Sequence, residues 1–119
     1  MAIPHDHDIQ IGLLRLLADA PGGSMRCGDV YKVLAEQFQE LTKDEITIPY
    51  RNAVSHWANR VQFARLHLVE QGWLLPPYVA NDRGFWTITK AGRRWLGELA
   101  EIGERLLEEF EQTSIATPL

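Results

Sequence analysis

At 119 residues, with 45% apolar content and four tryptophans, the chain holds material for one modest core and too little length for two domains. A single cysteine, Cys27, excludes an internal disulfide and fits a reducing compartment. No apolar run approaches the ~20 residues of a membrane span, and the polar, acidic residues 1–8 exclude a signal peptide, so a cytoplasmic, non-membrane protein is expected.

The net charge of −4 is unevenly spread. Residues 51–97 carry seven basic groups against two acids, a local +5, and the remainder sums to −9. Such a split separates a basic face from an acidic body.

Leu13, Leu16 and Leu17 follow Ile9 at helical spacing and predict a first helix over residues 8–19, capped by Asp6 or Asp8. Pro21-Gly22-Gly23 ends it, and residues 24–26 form a short extended piece. Val30, Leu34 and Phe38 mark a second helix over residues 28–39. Thr42-Lys43-Asp44-Glu45 has the form of a capping box and opens one short turn.

A third helix starts between Tyr50 and Ser55 and runs to Gln71, with Gly72 as its C-terminal stop. At 100° per residue, Trp57, Val61, Ala64 and Leu68 fall within an arc of about 60°, a sharp core stripe. Ser55, Asn59 and Gln62 lie opposite, and Leu66 also points outward. Arg60 and Arg65 flank the stripe. Phe63 and His67 sit at its edge and are expected to pack.

Two short strands follow, residues 73–75 and 85–89, joined by a loop with Pro76-Pro77 and Asn81-Asp82-Arg83-Gly84. Thr89 is the expected N-cap of a last helix from Lys90 to about Gln112. In that helix Trp95, Leu99, Ile102 and Leu106 step 4-3-4, the spacing of a coiled-coil seam. All four tryptophans are core candidates, Trp57 and Trp86 most strongly. Residues 113–119 read as a tail or linker after a domain over 1–112. The fold class is mainly α (α+β): a winged helix-turn-helix with three helices, a two-stranded wing at about 73–89 and a long C-terminal helix.

Two segments narrow this further. Trp57-Ala58-Asn59-Arg60-Val61-Gln62-Phe63-Ala64 and Arg83-Gly84-Phe85-Trp86-Thr87-Ile88-Thr89-Lys90-Ala91-Gly92 together resemble the N-terminal winged-helix domain of Mrr-type restriction endonucleases. The Asn-Arg-Val-x-aromatic-Ala run is the discriminating half. The resemblance implies a module that reads DNA sequence or base modification, placed ahead of a nuclease. No nuclease domain is legible here. The chain has three lysines, Lys32, Lys43 and Lys90, and none sits in the carboxylate–lysine pattern of a strand-borne metal site. The resemblance then leaves two alternatives, the reader of a longer protein with a fused or recruited nuclease as partner, or a stand-alone relative; double-stranded DNA is the expected partner in both.

Affinity for DNA requires phosphate neutralisation, and specificity requires groove contacts. Neutral Ser55, Asn59 and Gln62 suit base edges, with Arg51 and Asn52 at the helix start. Arg60 either reaches DNA or packs on the protein. Arg83 stands at the wing tip. Lys90, Arg93 and Arg94 oppose the dipole at the start of the last helix, a placement that suits an external anion. Trp95, Leu99, Ile102 and Leu106 are the candidate dimerisation seam. The alternative function is protein–protein contact, favoured by six Glu against one Arg over residues 98–111. Cys27 lacks a partner at zinc spacing, His56 and His67 lie about three turns apart on one helix, and no serine has a triad context. No catalytic residue, metal or cofactor is expected.

Overall fold

The computed structural model describes residues 4–38, 40–47, 55–76 and 84–116. In chain order these form α1 (Asp6–Asp19), a 3₁₀ turn (Pro21–Gly23), β1 (Ser24–Arg26), α2 (Cys27–Glu36), α3 (Lys43–Thr47), α4 (His56–Glu70), β2 (Phe85–Thr87) and α5 (Lys90–Ala116). The plan is winged-helix-like, mainly helical with a small antiparallel sheet. None of the described helices is long and apolar enough to cross a membrane.

The core follows the apolar periodicity. Ile9, Leu13, Leu14 and Leu17 of α1 meet Val30 and Leu34 of α2 and the α4 stripe of Trp57, Val61, Ala64 and Leu68, all fully buried. Trp57 is the largest of them. Its ring packs against Phe38 at 5.7 Å, and its indole N–H donates to the Tyr31 carbonyl at 2.9 Å. That bond fixes α4 against α2.

Local chemistry sets the element ends. The box at Thr42 forms as expected: the Glu45 carboxylate accepts from the Thr42 amide at 2.9 Å, and the Thr42 hydroxyl accepts from the Glu45 amide at 3.2 Å. The bond from the Thr42 amide holds the Glu45 carboxyl below its ordinary pKa, against the opposing effect of burial. The expected cap of α1 does not form. His5 occupies the N-cap without a side-chain bond, and Asp6 instead binds Gln10 and His67 from the first turn.

Helix α4 ends in a Schellman motif. Gly72 adopts φ 80° and its amide bonds the Val69 carbonyl, while Trp73 bonds the Leu68 carbonyl at 2.9 Å. The chain then enters the wing. Leu74 bridges Ile88, and backbone bonds run from Leu75 to Thr87 and from Thr89 to Trp73. The root of the expected hairpin is present, and its loop lies outside the described residues. The sheet has a further member: β1 pairs antiparallel with β2, Met25 opposite Trp86.

Thr89 caps α5 as expected, accepting from the Gly92 amide at 3.0 Å. The same hydroxyl donates to the Gly72 carbonyl at 2.7 Å, so one side chain ties the end of α4 to the start of α5. Helix α5 continues through Ala116 rather than stopping near Gln112. Its first turns pack on α1 and on Trp73, whose ring stacks on Trp95 at 4.2 Å. From Glu101 to Glu111 every residue is exposed.

Candidate nucleic-acid interface

Helix α4 is held by one side and presents the other. With Trp57, Val61, Ala64 and Leu68 locked inward, the outward surface carries exposed Gln62, Phe63, Leu66 and His67, with Asn59 and Arg60 half-buried beside them. Gln62 is oriented by a bond from its amide to the Tyr31 hydroxyl at 3.0 Å. Burial raises the Tyr31 pKa, and the bond from Gln62 opposes that shift.

Ser55 does not belong to this face. It is 2% exposed, and its hydroxyl accepts from the Ala58 amide at 3.0 Å as the N-cap of α4. Its backbone is extended, φ −159° and ψ 170°, so the 100° step that placed it outward does not apply at this position. Ser55→Ala is expected to cost about 1 kcal/mol of stability. A urea melt should show that loss, while any affinity for duplex DNA, measured well below the transition, should stay within twofold. A tenfold fall in affinity would return Ser55 to the binding face.

Phe63 and His67 also depart from expectation. Phe63 is 51% exposed. The His67 ring pairs with the Asp6 carboxylate at 3.1 Å on the outside of α1. Both lie more than 70° from the stripe centre, too far round for α1 and α2 to cover.

The cations divide. Lys90 and Arg94 are exposed on the first turn of α5. Arg93 is also exposed, but its guanidinium turns back to donate to the Ala18 carbonyl at 3.3 Å. There it packs against Gly23, where a Cβ would stand 2.7 Å from it. Arg93 thus completes the C-terminal end of α1, where a cation is favoured. Arg51, Asn52 and Arg83 lie outside the described residues.

Two further arginines stand at the sheet. Arg26 of β1 lies 5.8 Å over the Phe85 ring. Arg65 of α4 lies 5.1 Å over Trp86, which Tyr31 meets edge-on at 5.6 Å. Sequence reasoning passed over Arg26 because only the β1–β2 pairing carries it to the wing strand. The spacing of Arg65 places it on the flank of the stripe, but its partner ring is twenty-one residues away.

The proposed seam on α5 begins later than its spacing implies. Trp95 is half-buried in its stack on Trp73, and Leu99 is half-buried. Ile102 and Leu106 are open, at 49% and 60% exposure, with Leu107 and Phe110 beside them at 63% and 70%. Among the described residues no group of three or more His, Cys, Asp or Glu side chains could hold a metal.

A family model described as the Mrr N-terminal domain matches residues 7–98, more than three quarters of the chain. No curated protein and no solved structure matches.

Proposed function

Because the chain belongs to the Mrr N-terminal domain family, we propose that it is a DNA-binding winged-helix reader of a restriction-type or regulatory system, without catalysis of its own. Helix α4 enters the major groove, and the wing meets the backbone or the minor groove. The observation that carries this reading is the outward face of α4. Gln62 is exposed and pre-oriented, Asn59 stands beside it, and a fully buried stripe holds the helix rigid behind them. Neutral amides read base edges. Exposed Phe63 and Leu66 offer apolar contact to thymine methyl groups. Lys90 and Arg94, with Arg51 and Arg83 by their place in the sequence, supply phosphate neutralisation. A nuclease, fused or recruited, would act on what this module selects.

Titration of duplex DNA, with and without methylated bases, at several salt concentrations tests the reading. A slope of log K against log salt equivalent to roughly three or more released counterions is expected. Arg51→Ala and Arg83→Ala should each weaken binding, and Glu108→Ala should not. No binding even at low salt removes the DNA reading.

A second reading rests on α5. The stripe that docks its first turns on the core continues past the core's edge as exposed Ile102, Leu106 and Phe110. Paired copies of this stripe would give a dimer that reads two half-sites. Sedimentation should then show a concentration-dependent dimer that Leu106→Glu dissolves. A monomer at all concentrations removes the dimer and leaves the DNA reading untouched.

A further inference from the structure

Arg65 is the cation whose surroundings the fold explains least. It lies on the flank of α4 that faces α2 and the sheet, half-buried, with its Nε fully enclosed and without a hydrogen-bond partner. Among the described residues no carboxylate pairs with it. Its guanidinium is held at 5.1 Å over Trp86. Desolvation pulls its pKa down from the ordinary guanidinium value. An arginine in this position still carries its charge, and a half-desolvated charge without a counter-charge is costly.

The neighbouring Tyr31 and Cys27 oppose this desolvation only in part. Tyr31 meets the same Trp86 ring edge-on and takes its hydrogen bond from Gln62. Gln62 and Arg65 stand three residues apart on α4 and are therefore surface neighbours. The result is a planar cation, braced by an aromatic ring, beside the amide assigned to base reading. A guanidinium fixed in this way loses little side-chain freedom on binding and matches the geometry of a phosphodiester.

We propose that Arg65, braced on Trp86 and lacking an internal counter-charge, binds a backbone phosphate of duplex DNA at the seam between α4 and the sheet, and so sets the register in which Gln62 meets the bases. This assignment rests on the DNA-binding reading. It predicts a contact on the flank of α4, separate from the exposed cations of α5.

The test is fluorescence anisotropy of the full chain with a labelled duplex of about 20 base pairs across a salt series, with thermal melts of every variant. One phosphate contact accounts for a slope of about 0.9 in log K against log salt. Arg65→Met, which keeps the packing on Trp86, should lower the slope by about that amount and weaken binding roughly tenfold at low salt. Arg105→Met, on the exposed far half of α5, should leave affinity unchanged. Arg65→Lys keeps the charge but loses the planar fork. It should keep the slope and weaken binding roughly threefold or more, and it carries the test where Arg65→Met does not fold. Wild-type affinity and slope in both variants would overturn the assignment alone. No salt-dependent binding by the unaltered chain would overturn the DNA reading and this assignment with it.

Discussion

Trp57→Ala is expected to cost about 3–5 kcal/mol, a large share of the ~5–15 kcal/mol that a domain of this kind commands. Trp57 is fully buried in the core, and its indole N–H donates to the Tyr31 carbonyl. Alanine opens a cavity against Phe38 and removes that bond. The variant should show a urea midpoint far below that of the parent.

Trp57→Phe separates stability from function. It keeps most of the ring and loses the hydrogen bond, for about 1–3 kcal/mol. The variant stays folded, but α4 is no longer pinned to α2 at Tyr31. DNA affinity should then fall more than Ser55→Ala lowers it, although both residues are buried. A Trp57→Ala unfolding free energy within about 1 kcal/mol of the parent's would show that the site collapses around the smaller residue.

The second large effect concerns one helix and two opposite signs. Glycine in a helix interior is disfavoured against alanine by ~1 kcal/mol, so glycine-to-alanine changes in α5 should stabilise. Gly97→Ala and Gly103→Ala should do so, since a Cβ at either position meets nothing within 4 Å. Gly92→Ala should not. A Cβ there would stand 2.4 Å from the Trp73 carbonyl oxygen and 2.9 Å from the Ile88 side chain.

The obstacle at Gly92 is backbone, which cannot rotate away. Overpacking of this kind costs ~1–3 kcal/mol and occasionally more, which exceeds the propensity gain. The displaced Trp73 carbonyl also accepts from the Thr89 amide, so the shift propagates into the wing root. Thermal melts of the three variants give the comparison, at roughly 4 °C per kcal/mol for a chain of this size. Stabilisation by Gly92→Ala would mean that the wing root yields more readily than its hydrogen bonds imply.

Much of this architecture was legible because it is written in local chemistry. The α4 stripe shows a clean 3.6 period and is fully buried. The Thr42–Glu45 box, Gly72 and Thr89 each act within a few residues of the feature they control. What escaped the sequence depends on contacts far apart in the chain. The extended piece at residues 24–26 is legible and forms β1, but nothing local says that its partner lies about sixty residues on. Without that pairing, Arg26 looked remote from the wing.

Trp95 has seam spacing because the same stripe serves two purposes. Its first turns stack on Trp73, and only its continuation from Ile102 is open. Ser55 failed for a different reason, since a helical wheel has no meaning at a residue with extended backbone. The candidate site was legible to the extent that Asn59 and Gln62 follow from periodicity. Arg93 was not, because its spacing says nothing of the Ala18 carbonyl to which it turns.

The two hydrogen bonds of the Thr89 hydroxyl have a mechanical consequence. A 27-residue helix is about 40 Å long at 1.5 Å per residue. It leaves the body at a joint where one hydroxyl grips the last turn of α4 and the first turn of α5 together. With the near end fixed, a tilt of about 10° carries the far tip of such a rod through about 7 Å. Helix α5 is therefore a lever whose aim is set against α4 itself. Anything carried on its far half is positioned relative to whatever α4 touches by this threonine junction together with the packing of its first turns on α1 and Trp73.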